Sequence, residues 1–217
     1  MTLPIYVITG ASKGIGRSLA IQMSQQGYTV FALARPSAEL AEVEGVLKAS
    51  SKLSMSVECD LGDLDSIAFA AKTISAHADF ISGIVHNAGA VAPVKPMQAA
   101  NASDWARSLH VNLIGVQALT QQLTHLLGGA QQSRITTISS GASLRPIGSW
   151  SAYCVSKAGL DMWARCMAEE GRSNNISCIS GHQVWWTLVC NMRFAPPLRK
   201  ISLRFNPSLI CMNRDFW

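Results

Sequence analysis

Tyr153 and Lys157 stand four residues apart in "SAYCVSKAGLDM", a stretch with helical composition. Four residues is close to one helical turn, so the two side chains share a face and meet. An ammonium beside a phenol favours the phenolate and draws its pKa down from about 10 toward neutral pH. A phenol tuned in that way can pass a proton to a carbonyl oxygen. Ser140 lies thirteen residues before Tyr153, at the end of an apolar run. Strand carboxyl ends are where open α/β sheets hold their ligands. The chemistry suggested is carbonyl reduction with Tyr153 as the acid.

A reduction needs a hydride source, and the N-terminal segment supplies a place for one. "YVITGASKGIGRSLA" reads as a strand, a Gly-rich turn carrying Ser12 and Lys13, and a helix. Gly10, Gly14 and Gly16 permit tight turning and close approach of a pyrophosphate to the helix N-terminus, where free N–H groups favour anions. The second strand ends "VFALARPS", with Arg35 where a dinucleotide site that takes an unphosphorylated ribose usually has an acid. Arg35 and Lys13 together favour the ribose 2′-phosphate, hence NADP over NAD.

The elements that must position these residues alternate along the chain. Strands are expected at Ile5–Thr9, Thr29–Ala34, Leu53–Cys59, Ile81–His86, Arg134–Ser139 and Ile176–Ile179. Helices are expected near Gly14–Gln26, Ala38–Ala49, Leu64–Ala76, Ala102–Leu127 and Ala152–Glu170. Ser103-Asp104 reads as the cap of the fourth helix and Gly128-Gly129 as its end. Strict β/α alternation predicts an α/β fold, a doubly wound Rossmann-type parallel sheet with helices on both faces.

Composition excludes other classes. No apolar run is long enough for a membrane span and no charged leader precedes one, so membrane association and secretion are not expected. Six cysteines at irregular spacing give no metal signature and suit a reduced, cytoplasmic protein. The net charge of +5 is uneven: residues 1–180 carry 13 Lys/Arg against 12 Asp/Glu, residues 181–217 carry 5 against 1. The body is therefore near neutral, and nucleic-acid binding is not expected. His86, as the last residue of a strand, is expected to pack; Trp163 is expected in the core or an interface; Trp150 has a substrate-pocket or a helix-start packing reading.

With these residues in place, the chain resembles the short-chain dehydrogenase/reductases. The matching pieces are Thr9-Gly10-Ala11-Ser12-Lys13-Gly14-Ile15-Gly16, Asp60-Leu61, Asn87-Ala88-Gly89, Asn112, Ser140 and Tyr153-x-x-x-Lys157. The resemblance implies that Tyr153 is the general acid/base and that Ser140 hydrogen-bonds the substrate carbonyl. It implies that Lys157 holds the nicotinamide ribose as well as tuning Tyr153, and that Asn112 positions a water in the proton relay. It places Asp60 on the adenine and Asn87 at the cofactor ribose. Within the family, Pro146, Trp150 and the Glu169-Glu170 pair resemble the sepiapterin reductase and benzil reductase branch, which reduces ketones and vicinal dicarbonyls with NADPH. Family members are commonly dimers or tetramers, so a homo-oligomer is an open expectation. The alternatives are a non-catalytic dinucleotide-binding protein and a non-functional truncated gene product.

The resemblance stops near residue 180, dividing the chain into an NADP-binding domain at 1–180 and an aberrant tail at 181–217. The tail holds three of the six Trp and three of the eight Pro and has no sustained period. Trp has the single codon TGG, so Trp185-Trp186 read one base out of step forces Val-Asp. The same shift permits Ala-Pro-Gly before it and Thr after it, the residues the family has there. A frameshifted and poorly ordered tail is therefore expected, without the family's nicotinamide-binding Thr, its substrate loop or its usual seventh strand. Thr187 is not assigned the Thr role. A chain so altered is expected to be poorly stable and weakly active or inactive.

Overall fold

The computed structural model describes residues 4–182. Six parallel strands form one sheet: β1 Ile5–Thr9, β2 Thr29–Ala34, β3 Met55–Glu58, β4 Gly83–His86, β5 Ser133–Ser139 and β6 Ile176–His182. Their order is β3-β2-β1-β4-β5-β6, so the chain reverses direction across the sheet between β1 and β4. Crevices at such a switch point are where doubly wound folds bind ligands.

The helices are α1 Gly14–Gln25, α2 Ala38–Ser50, α3 Leu64–Ser75, α4 Ala102–Leu109, α5 Gly115–Leu123 and α6 Ser151–Glu170. Alternate strand residues serve opposite faces. Val7, Phe31, Leu33, Ile84 and Ile135 pack against Ile67 and Ile74 of α3, Leu119 and Leu123 of α5, and Ala164 of α6. Ile8, Val30, Ala32 and Val85 pack against Leu19 and Met23 of α1 and Leu40, Val43 and Leu47 of α2. Every residue of β2 is buried, as a central strand covered on both faces requires. Each large side chain enclosed in this way contributes about 1.5–3 kcal/mol of transfer free energy.

The expected fourth helix is three pieces. A π-helical turn, His110–Ile114, separates α4 from α5, and a 3₁₀ turn at Thr124–Leu126 follows. The cause is Asn112, whose side chain is drawn to a loop 22 residues earlier. The cap of α4 is Asn101 rather than Ser103-Asp104: its Oδ1 accepts from the Ser103 N–H at 2.8 Å. An Asn side chain reaches that N–H in an extended backbone, so Ala102 begins the helix and Ser103 lies inside its first turn. α5 ends at Leu123, before Gly128-Gly129, although both glycines take the left-handed conformation, φ +71°.

β6 runs to His182, three residues beyond the expected Ile179. Gly181 aligns with Ile138 and His182 with Ser139 of β5. A ladder of backbone groups is indifferent to side-chain identity, so pairing continues past the point where the sequence changes character. Residues 183–217, with Trp185-Trp186, Thr187 and the tail's expected disorder, lie outside the described residues.

Candidate active site

A cleft of about 1150 Å³ opens at the switch point. It is lined by Gly10, Ser12 and Lys13 after β1, Arg35 after β2, Asp60 and Leu61 after β3, and Asn87, Ala88 and Gly89 after β4. Nine of the residues expected at a cofactor thus meet in one place. Gly14, Ile15 and Gly16 lie in the first turn of α1 behind this lining.

The Gly-rich turn has two physical requirements. Gly10 sits at φ +67°, and a methyl there would stand 2.8 Å from the Ala88 Cα. At Gly16 a methyl would stand 2.3 Å from the Gly10 carbonyl oxygen. Lys13 caps α1 without a side-chain bond to the first-turn N–H groups. Those donors, with the helix dipole, suit a phosphate. The cleft volume, the bare backbone turn and these donors fit a dinucleotide pyrophosphate.

Two residues that the sequence reading left without a role hold the cradle. Thr9 is buried at the end of β1, and its hydroxyl accepts from the Asn87 and Ala88 N–H groups, both at 3.1 Å. Asn87 returns the link, donating through Nδ2 to the Thr9 carbonyl at 3.0 Å and the Gly10 carbonyl at 3.3 Å. Arg107, on α4, donates from Nη2 to Asp60 Oδ2 at 2.9 Å. Burial alone would raise the Asp60 pKa, but the Gly62 N–H, the Arg107 guanidinium and the nearby Arg35 together hold it below the usual range. No local signal could have found Arg107, because its partner is 47 residues away. Glu39, in the first turn of α2, also lines the cleft, beside the field of Lys13.

Ser140, Tyr153 and Lys157 are not part of this lining. Gly89 joins the two regions: a methyl on it would stand 3.3 Å from Asn112 Oδ1 and 3.6 Å from Lys157 Nζ. Ser140 follows β5 and caps the short turn Gly141–Ser143, its Oγ accepting from the Ala142 N–H at 3.2 Å. Trp150 begins α6 and meets the Tyr153 ring edge-on at 5.7 Å. That contact accounts for its helix-start packing reading.

Lys157 Nζ donates to the Ile138 carbonyl at 2.7 Å and stands 5.7 Å from the Tyr153 ring centroid. Burial pushes the ammonium down to about 8, against the opposing field of Asp161. Burial likewise raises the Tyr153 pKa, with the Ser140 hydroxyl acting the other way. Asn112 is held by its side chain. Its Oδ1 accepts from the Ala90 N–H and its Nδ2 donates to the Ala90 carbonyl, both at 2.8 Å, with Ser156 Oγ at 3.1 Å. The amide clamps the loop after β4.

A family model described as short chain dehydrogenase matches residues 4–181. The chain belongs to the short chain dehydrogenase family. A benzil reductase that forms (S)-benzoin, from Bacillus subtilis (strain 168), is 34% identical over 173 residues, covering 77% of this chain and 68% of the relative. An NADPH-dependent pterin aldehyde reductase from Arabidopsis thaliana is 28% identical over 164 residues, covering 76% of this chain and 67% of the relative. The chain thus spans about two thirds of the length of these relatives. A crystal structure of a short chain dehydrogenase from Escherichia coli CFT073 complexed with NADPH superposes with a TM-score of 0.75 at 26% identity, covering 82% of this chain and 75% of that one. The protein is an oxidoreductase of this family, near the branch that holds the benzil and pterin reductases, and its cofactor is a nicotinamide dinucleotide. No helix among the described residues is long and apolar enough to cross a membrane.

Proposed function

We propose that this chain is an NADPH-dependent reductase of a ketone or vicinal dicarbonyl, working in the cytoplasm. The observation that carries it is the junction at Gly89. There the dinucleotide-sized cleft meets Lys157, one helical turn after Tyr153, whose phenol faces the Ser140 hydroxyl. Bound NADPH supplies the hydride. Ser140 donates a hydrogen bond to the substrate carbonyl and fixes its plane. Tyr153 gives the proton to that oxygen as charge develops on it. Lys157, protonated below about pH 8, supplies the positive charge that eases proton loss from Tyr153 once its side chain turns from Ile138. Trp150, edge-on to Tyr153, forms an apolar wall that suits a flat or aromatic substrate. Lys13 and Arg35 at the far end of the cleft favour the 2′-phosphate.

The test is a Tyr153→Phe variant assayed with benzil, alongside Arg35→Ala. Turnover should fall at least about 100-fold in Tyr153→Phe, the scale of one lost acid, while NADPH still quenches intrinsic fluorescence. Arg35→Ala should lose NADPH affinity and keep NADH affinity. Turnover that survives in Tyr153→Phe rejects the mechanism, and equal loss of both cofactors rejects the NADP choice.

We further propose that residues 181–217 are translated out of frame and that activity and stability suffer for it. The family match ends at residue 181, where the sequence periodicity also ends. Sequencing the coding DNA across codons 170–200 tests this, since an alternative frame without Pro-Gly or closed by an early stop eliminates it.

A further inference from the structure

The end of β6 meets the turn that Ser140 opens. Ser180 and His182 are two residues apart on this strand, so their side chains share a face. Both reach Asp161 of α6. Ser180 Oγ donates to Asp161 Oδ1 at 2.5 Å, and His182 Nε2 stands 3.3 Å from Asp161 Oδ2. The same nitrogen stands 3.4 Å from Ser143 Oγ. Ser143 Oγ in turn donates to the Ser140 carbonyl at 2.8 Å. A chain of contacts therefore runs from α6, through the end of β6, to the backbone of Ser140.

The donor in the middle of this chain follows by elimination. The Ser143 hydroxyl has one proton and gives it to the Ser140 carbonyl. The Asp161 carboxylate, ionised at neutral pH, only accepts. Nε2 of His182 therefore carries a proton and shares it between the two oxygens. The strand does not need these contacts for its place, because β6 is paired with β5 from Ile176 to His182. What they add is a fixed spacing between two parts of the site. Asp161 lies one helical turn after Lys157 and about two after Tyr153 on α6, and Ser143 closes the turn that Ser140 caps. The link is mostly covered, with the His182 side chain 27% exposed and that of Asp161 14%. The family match ends at residue 181, one residue before His182.

We propose that His182 is a positioning residue: held by Asp161, it fixes the turn of Ser140 against the helix of Tyr153 and Lys157, so that a residue of the segment read as out of frame completes the reductase site. This rests on the reading that Ser140 and Tyr153 together engage a substrate carbonyl.

The test follows reduction of benzil by NADPH in a single turnover, with the full chain in excess, for the native protein, His182→Ala, His182→Gln, Asp161→Asn and the double variant of His182→Ala with Asp161→Asn. His182→Ala should slow the reduction by about tenfold, the scale of one hydrogen bond to a charged group. NADPH affinity should stay at the native value, because Ser140, Ser143, Asp161 and His182 do not line the cofactor cleft. His182→Gln, whose amide can donate in the same direction, should recover most of the rate. Asp161→Asn should be slowed about as much as His182→Ala, and the double variant no further than either, since the two residues act through one link. A His182→Ala rate equal to the native one overturns the proposal, and so does a loss that Gln leaves unrecovered or that adds to the loss in Asp161→Asn. A parallel fall in NADPH affinity assigns His182 a general structural role and overturns it as well. A native protein that binds NADPH and leaves benzil unreduced removes the reductase reading and this inference with it. Should His182→Ala fail to fold, the ¹⁵N resonances of the His182 ring, assigned against His182→Gln, decide: Nε2 should be protonated, and a bare Nε2 overturns the proposal.

Discussion

His86 ends β4 with only 2% of its surface exposed. Its Nε2 meets Thr120 Oγ1 at 2.8 Å, its ring lies edge-on to Trp163 at 5.9 Å, and Nδ1 has no hydrogen-bond partner. The expected packing role thus has a cost. Burial pushes its pKa down to about 3 from 6.5. Below pH 6.5 the unfolded chain gains a proton there that the folded chain refuses, so stability falls as pH drops toward 3. The slope is about 1.4 kcal/mol per pH unit, or about 2 kcal/mol between pH 6.5 and 5. His86→Leu should flatten this acid-side loss, as read from urea midpoints at pH 7 and pH 5. An unchanged slope would show that other groups dominate. Residue types in the local motifs were legible from sequence because each motif carries its own backbone need: glycines that bend, a Tyr-Lys pair one turn apart. Arg107 and Thr9 were not, because their partners come from other strands and helices.

At the scale of elements, the segment from Ala102 to Leu126 is the instructive one. Its apolar period reads as one helix, and periodicity alone cannot show that Asn112 is pulled to Ala90. The π-helical turn accommodates that pull and hands over to α5 at Gly115. Gly115 is where α5 touches the loop after β3: a methyl would stand 2.1 Å from the Leu61 carbonyl oxygen. Alanine is ordinarily the better helix former by about 1 kcal/mol. Here the obstacle is backbone, which cannot swing aside, and overpacking of this kind costs about 1–3 kcal/mol. Gly115→Ala should therefore destabilise on balance, lowering the denaturation midpoint and, since Leu61 lines the cleft, weakening NADPH binding. A raised midpoint would count against this placement of α5. The first three βα units were readable to within a few residues because each stands between clear turn signals.

For the whole molecule, a doubly wound parallel sheet of six strands was legible from the strict alternation, although its last strand runs three residues past the expected end. Among the described residues β6 pairs only with β5, and Ile179 on it is 52% exposed. An open edge with apolar side chains is a template for association. Ile179→Lys should raise the concentration at which the protein stays dispersed in light scattering. Stability should be little changed, because that side chain contributes little to the core. Scattering identical to the native chain would show that the edge is covered.

The Thr9 hydroxyl, fastened to the backbone of Asn87 and Ala88, has a thermodynamic corollary. It ties the loop after β1 to the loop after β4, so the two walls of the phosphate cradle move as one rigid piece. A dinucleotide arriving there meets a surface whose ordering entropy was spent when the chain folded. Association at that end should resemble a key entering a cut lock, with a fast on-rate and a small heat-capacity change. Cutting the fastener with Thr9→Val would transfer that ordering cost to the cofactor, and calorimetry would record it as a more unfavourable entropy of binding.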